Sequence, residues 1–120
     1  MSVDRSDMPK FMISFNDGDM TFPESDLPQV SQDAHDVMRE AKAAGVWVFG
    51  GGFMGFDTVT VAADGTYRHG PIAPGDFPRI GGFCVVDVMT FDEALVWAAK
   101  TAKACRCEQE VREFMDDPEA

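Results

Sequence analysis

The residue best suited to acid–base chemistry is His69, which directly precedes a glycine and a proline. Histidine titrates near neutral pH and can give or take a proton, and functional side chains concentrate in loops. One hypothesis makes His69 catalytic, with Asp76 orienting its ring across the loop. Arg68 would then hold an anionic group. The alternative is a half-exposed loop histidine bonded to backbone, and the sequence leaves both open.

The second histidine, His35, lies in a segment with helical periodicity. Ala34 and Val37 belong to the apolar stripe of that helix, so His35 falls near the edge of the stripe. A ligand-binding role and a solvated surface position both remain open. The periodicity favours the surface position.

The cysteine pattern does not predict a metal site. Cys105 and Cys107 would place both thiols on one face of an extended segment. A zinc site needs four ligands, or three and a water, and neither a second cysteine pair nor a nearby histidine supplies them. Cys84, inside an apolar run, is typical of a small buried hydrophobe.

A run of glycines at residues 50–52 resembles a phosphate-binding loop only loosely. It lacks the Lys-Ser/Thr ending that holds phosphate and magnesium. The net charge of -11, from 21 acidic and 10 basic residues, also disfavours phosphate-rich partners. We therefore predict a tight turn here, no cofactor and no nucleic-acid partner.

Length and composition predict one globular domain over 1–120, with loose tails at 1–9 and 115–120. The chain has 120 residues, of which 45% are hydrophobic, and this is enough to bury a core. No apolar run reaches the roughly 18 residues of a membrane span, and the first residues lack an apolar signal core. Three cysteines fit a reducing compartment. We expect a cytoplasmic protein with no membrane partner.

Hydrophobic periodicity predicts the order strand, helix, strand, hairpin, strand, helix, strand. A helix is expected after the cap Ser31 and up to Gly45, and a second one after the Thr90–Glu93 capping box, with Phe91, Leu95 and three alanines as its buried stripe. The predicted strands are Lys10–Phe15, Val46–Phe49, Asp57–Ala62, Thr66–His69, Gly82–Val88 and Cys107–Phe114.

This order predicts an α+β fold, with two helices on one face of a mostly antiparallel sheet. It corresponds to a ferredoxin-like sandwich with an added hairpin. Val46–Phe49 is wholly apolar, which predicts burial on both faces, and Gly82–Val88 is expected at the centre of the sheet. The opposite sheet face would remain uncovered, and its apolar content indicates a second subunit.

Short sequence words spread over roughly residues 10 to 115 resemble the YCII-related family, in particular its DGPF-domain branch. The order and spacing of these words carry the resemblance. They are Ala43-Ala44-Gly45-Val46, Asp64-Gly65, Gly70-Pro71, Gly81-Gly82-Phe83, Asp92-Glu93-Ala94-Leu95, Trp97-Ala98-Ala99 and Glu110-Val111-Arg112.

The resemblance implies that the sheets of two subunits pair into a dimeric α/β barrel, with a cleft near the interface. Members of the family have been suggested to be enzymes that use a His/Asp pair, and some lie beside transcription regulators. The family loop reads Asp-Gly-Pro-Phe, whereas this chain has His69-Gly70-Pro71-Ile72, so a histidine replaces the acid.

Three functions therefore remain open. The first is a homodimer that binds a small molecule and catalyses acid–base chemistry at the interface cleft. The second is a non-catalytic ligand-binding or regulatory dimer, which the missing family aspartate favours. The third is a structural interaction module without a ligand-sized cleft. In the first two, Arg68, Gly70, Pro71 and His35 are the expected ligand-binding positions.

Overall fold

The computed structural model describes residues 8–54, 58–72 and 79–120. These residues form six strands and two α-helices, and a short 3-10 turn at Glu24–Asp26 precedes the first helix. In chain order the elements are β1 (Lys10–Asn16), α1 (Leu27–Ala43), β2 (Trp47–Gly52), β3 (Val59–Val61), β4 (Tyr67–His69), β5 (Ile80–Asp87), α2 (Phe91–Cys105) and β6 (Glu110–Glu113).

Four strands form one sheet in the order β2-β5-β1-β6, and all neighbours are antiparallel. Helix α1 connects β1 to β2 across β5, and α2 connects β5 to β6 across β1. Two such split βαβ units are compatible with a ferredoxin-like α+β fold. The hairpin β3–β4 is a separate two-stranded sheet inserted between β2 and β5. The predicted element order and mixed architecture are confirmed at this level.

The core lies between the sheet and the two helices. Phe11 pairs with Val86 across β1 and β5, and Ile13 pairs with Cys84; all four side chains are buried. Full burial of such an apolar side chain stabilises the fold by about 1.5–3 kcal/mol. Ala94 of α2 is fully buried against this layer, because its small side chain lets the helix approach the sheet closely.

The central position of β5 is confirmed, but the prediction that β2 is buried on both faces is wrong. Val48 is 43% exposed and Phe49 is 63% exposed. The reason is topological. Among the described strands β2 has one neighbour, β5, so it is an edge strand. Phe49 pairs with Val85 on the face away from the helices.

Helix α1 begins at Leu27, four residues before the predicted cap Ser31. Pro28 lies in the first turn, where its missing N–H costs nothing and its fixed φ favours the helix. The helix ends as predicted at Gly45, whose φ of 75° lies in the left-handed region.

Helix α2 begins after Thr90, whose hydroxyl accepts a hydrogen bond from the Glu93 backbone N–H at 3.1 Å. In a capping box the Glu93 side chain would accept a hydrogen bond from the backbone N–H of Thr90. Here Glu93 Oε2 instead accepts from the backbone N–H of Met89, one residue earlier, at 3.4 Å. The predicted buried stripe fails at Phe91 and Leu95, which are 44% and 45% exposed. No helix among the described residues combines the length and apolar character needed to cross a membrane.

The prediction of a tight turn at residues 50–52 is wrong, because these glycines continue strand β2 and pair with β5. Two of them give a test of the sheet packing. A Cβ added at Gly50 would lie 2.7 Å from Cys84 Cβ and 2.8 Å from the Phe83 carbonyl oxygen, whereas a Cβ at Gly52 would meet the Gly81 carbonyl at an ordinary 3.8 Å. We expect Gly50→Ala to lower the free energy of unfolding by about 2 kcal/mol, because β2 must shift away from β5. Gly52→Ala should leave it unchanged or raise it by up to about 1 kcal/mol. Urea unfolding of both variants measures the difference, and equal stabilities would contradict this packing.

Candidate functional site

His69 is positioned by the β3–β4 hairpin. The turn is held by Asp64, whose Oδ1 accepts from the backbone N–H and the hydroxyl of Thr66 at 2.9 and 2.7 Å. These bonds, led by the hydroxyl, lower the pKa of the Asp64 carboxyl. Gly65 follows with a φ of 89°, a conformation that favours glycine. The predicted hairpin is therefore confirmed, and Asp64-Gly65 forms its turn.

His69 itself is exposed at the end of β4 and pairs with Val59 of β3. Its ring meets the ring of Tyr67 edge-on, with 6.3 Å between the centroids. Asp76, its proposed catalytic partner, lies outside the described residues. The His69–Asp76 pair accordingly stays a prediction.

The Gly70 backbone closes the hairpin. Its N–H donates to the Thr58 carbonyl at 2.8 Å, its carbonyl accepts from the Thr60 hydroxyl at 2.7 Å, and its φ is 117°. Arg68 donates from Nη2 to the Ile72 carbonyl at 3.1 Å, and Pro71 lies half-buried between them. These hydrogen bonds give Arg68 and Gly70 a structural role, which is to close the end of the hairpin. The ligand-binding role predicted for Arg68, Gly70 and Pro71 stays a prediction.

His35 is exposed on α1, where its Nδ1–H donates to the Ser31 carbonyl at 2.7 Å. His35 therefore contacts a residue of its own helix, whereas the His69 ring contacts Tyr67 of its own hairpin. The structure therefore gives the two histidines separate local environments on different elements.

The described residues contain a pocket that sequence reasoning missed. Its volume is about 380 Å³, and it lies where β1 ends beside the segment that leads into β6. Pairing of Ser14 with Glu110 brings together its two walls, which are far apart in sequence. No local motif signals such a site. The lining residues are Ser14, Phe15, Asn16, Asp19, Glu108, Gln109 and Glu110.

Gln109, which lines this pocket, also contacts Cys107. Its Nε2 donates to the Cys107 carbonyl and lies 3.4 Å from the Cys107 Sγ. Its Oε1 is buried and has no hydrogen-bond partner among the described residues. Burial, then the neighbouring Cys105 and Asp19, raise the pKa of the Cys107 thiol to about 11, although the Gln109 bond opposes the shift.

The other two cysteines belong to the protein interior. Burial raises the pKa of Cys84 to about 11, with a smaller contribution from Cys105. Burial also raises the pKa of Cys105. All three thiols are free, and the described residues hold no group of three or more His, Cys, Asp or Glu side chains placed to bind a metal ion.

The sheet face opposite the helices, hereafter the open face, has an apolar side and a polar side. On the apolar side, the Phe83 ring lies 6.1 Å from the Phe49 ring and 6.0 Å from the Phe53 ring. Met12 and Val85 form the adjacent cross-strand pair. None of the described elements covers this face, so Phe49 and Phe53 remain 63% and 59% exposed.

The polar side of the open face follows β1 and β6. Lys10 Nζ lies 3.0 Å from Asp87 Oδ1. Arg112 pairs with Met12, and Glu110 pairs with Ser14 at the rim of the pocket. Ser14 and Glu110 therefore belong both to the polar side of the open face and to the lining of the pocket.

Comparison with protein-family models gives no match, and comparison with curated proteins gives no significant relative. The resemblance to YCII-related proteins accordingly remains a prediction, and the functional argument depends on the geometry of the chain itself.

The raised thiol pKa values predict slow alkylation. A thiol with a pKa of about 11 is about 0.1% thiolate at pH 8, against roughly a quarter for an ordinary cysteine. We expect the half-buried Cys107 to react with iodoacetamide at least 100-fold more slowly than free cysteine at pH 8, and its rate to keep rising toward pH 11. Cys107→Ser identifies the signal, and all three thiols should react rapidly in urea. Rapid alkylation of native Cys107 at pH 8 would show that its thiolate is not suppressed.

Proposed function

We propose that the chain works as a homodimer, in which two open faces pack on each other and a small molecule binds at the subunit boundary. The exposed apolar side of the open face carries this proposal. Its aromatic side chains are large, contiguous and already organised around Phe83 by the sheet. Contiguous apolar patches of this kind mark interaction surfaces.

The exposed aromatic side chains of the open face determine how much free energy its burial would contribute. Each square ångström of apolar surface removed from water contributes about 25 cal/mol, and an aromatic side chain can bury roughly 150–250 Å². Phe49 and Phe53 keep well over half of their surface in water in the single chain. Covering both would therefore contribute several kcal/mol on each subunit, before the entropy lost on association.

A second copy fits this face because two-fold dimers bury the same patch on both subunits. The apolar side lets aromatic side chains meet aromatic side chains. The polar side carries both signs of charge, since Arg112 and Glu110 lie two residues apart on β6. Self-pairing of the face is therefore compatible with opposite charges meeting at its edge.

The pocket beside Ser14 supports the ligand-binding part of the proposal. Its volume of about 380 Å³ falls within the usual range of roughly 300–1,000 Å³ for small-molecule sites. Two of its lining residues, Ser14 and Glu110, lie on the open face, so a dimer packed through this face would bring the pocket close to the subunit boundary. A purely structural module needs no such cavity.

Catalysis has weaker support than binding. His69 lies on the hairpin, and it is not among the residues that line the pocket. The acid–base hypothesis thus needs a second site, formed around His69 with Asp76 or with the other subunit. We accordingly place non-catalytic ligand binding first and acid–base catalysis second.

Replacement of Phe49 tests the interface. Phe49→Lys should leave the fold intact, because the side chain is 63% exposed, but it should convert the dimer into a monomer of 13.2 kDa. A dimer of this variant would bury one lysine from each subunit against apolar surface, and removing these charges from water costs free energy. Size-exclusion chromatography with light scattering gives the mass.

Val96→Lys is the matched control, since Val96 is 55% exposed on α2 and lies on the opposite layer. It should keep the dimer. If the Phe49→Lys protein is still a dimer, the open face is not the interface.

A thermal-shift screen of small polar metabolites tests ligand binding. A ligand at 100 times its Kd should stabilise the protein by about 2.7 kcal/mol. Glu110→Gln, at the pocket rim, should reduce the shift. His69→Ala should retain it, and the hits should bind without product formation. Turnover of a hit that is lost in His69→Ala would instead establish the acid–base alternative, and a shift unaffected by Glu110→Gln would place the ligand elsewhere.

A further inference from the structure

The pocket beside Ser14 is lined mainly by hydrogen-bond acceptors, and three of its side chains are carboxylates. These are Asp19, Glu108 and Glu110, and all of them are exposed to solvent. The lining contains neither lysine nor arginine nor histidine. A cleft lined by one sign of charge raises the local concentration of ions of the opposite sign. The pocket therefore favours cations over anions.

The charges of these carboxylates are not neutralised by cations of the described residues. The ion pairs found there join other side chains. Asp19 is held by an uncharged group, since its Oδ2 accepts from the backbone N–H of Asn16 at 3.2 Å. After burial and Cys105, the Asp19 charge is the next cause that raises the pKa of the Cys107 thiol. A negative potential thus remains at the pocket.

The carboxylates are distributed around the pocket and do not converge on one point. Asp19 follows the end of β1, whereas Glu108 precedes β6 and Glu110 begins it. A calcium ion takes about six to eight oxygen ligands around one centre. The described residues hold no group of three or more His, Cys, Asp or Glu side chains arranged in this way. Separate charges around about 380 Å³ instead suit an organic cation with positive charges at separate positions.

The uncharged part of the lining fits the same kind of ligand. Gln109 Oε1 is a buried acceptor with no hydrogen-bond partner among the described residues, and an ammonium group that reaches it would supply the missing donor. Phe15 is the one large apolar side chain of the lining. Its ring lies over Gly82, where an added Cβ would come within 2.7 Å of the ring. A hydrocarbon segment between two amino groups can pack on this ring.

We propose that the pocket binds a small aliphatic amine with two or more ammonium groups. This inference rests on the proposed ligand-binding function and names the chemical class of the ligand. One ammonium group pairs with Asp19 and another with Glu108 or Glu110, while the hydrocarbon between them lies along Phe15. Exposed ion pairs are individually weak, so a ligand needs at least two charges to be selected by this site.

Isothermal titration calorimetry with probes of equal length tests the ligand class. Diaminobutane carries an ammonium group at each end, butanediol has the same length without charge, and succinate carries a carboxylate at each end. We expect diaminobutane to bind about tenfold more tightly than butanediol, and succinate not to bind. Equal or tighter binding of butanediol or succinate would overturn the amine and leave the pocket to a ligand of another class.

Two double variants with the same change in net charge locate the binding site. Asp19→Asn/Glu108→Gln removes two carboxylates from the pocket and nearly preserves side-chain shape. Asp116→Asn/Asp117→Asn removes two carboxylates from exposed positions beyond β6. We expect the Kd for diaminobutane to rise about tenfold in the first variant and less than about twofold in the second. An equal rise in both would mean general attraction to an acidic protein and would overturn the site. Thermal unfolding checks that both variants keep the fold.

The side-chain amide signals of Asn16 and Gln109 give a local measurement in the isotope-labelled protein. Both signals should shift when diaminobutane is added, and the inference fails if neither does. Calcium chloride that shifts them where diaminobutane does not would assign the pocket to a metal ion and overturn the amine. These failures are distinguishable from failure of the proposed function, because the mass of the protein and the metabolite screen are measured without an amine.

Discussion

The structure depends on the antiparallel pairing of β1 with β5. This pairing sets the face on which each side chain lies, since a shift of one residue would exchange the two faces completely. It places Phe11 and Ile13 opposite Val86 and Cys84 beneath the helices. The same register necessarily sends Met12, Phe83 and Val85 to the other side. One buried core and one uncovered apolar surface are thus consequences of a single alignment.

This uncovered surface determines the functional interpretation. Two helices cover one face of the sheet, and the aromatic side chains around Phe83 remain on the other. The pocket shares Ser14 and Glu110 with the polar side of this face. This arrangement explains why we place binding between two copies ahead of chemistry at the isolated His69.

Much of the fold could be predicted from local patterns. The strand at β1, the hairpin around Asp64-Gly65 and the helix stop at Gly45 each have a local physical cause, and the structure confirms them. The errors at Phe49, Phe91 and Leu95 have a different origin. An apolar run does not reveal whether its strand lies at a sheet edge, because that depends on which distant strand pairs with it. The pocket was missed for the same reason, since Asp19 and Glu108 line one pocket only because β1 pairs with β6. The predicted His69–Asp76 pair depends on a loop outside the described residues.

The central claim is that the open face is buried between two copies of this chain. The most direct measurement is the molar mass of the unmodified protein by sedimentation equilibrium at micromolar concentration. We predict twice the 13.2 kDa of the single chain, with dissociation only on dilution. A mass of 13.2 kDa throughout the micromolar range would contradict the claim, because the aromatic surface around Phe83 would then remain in water.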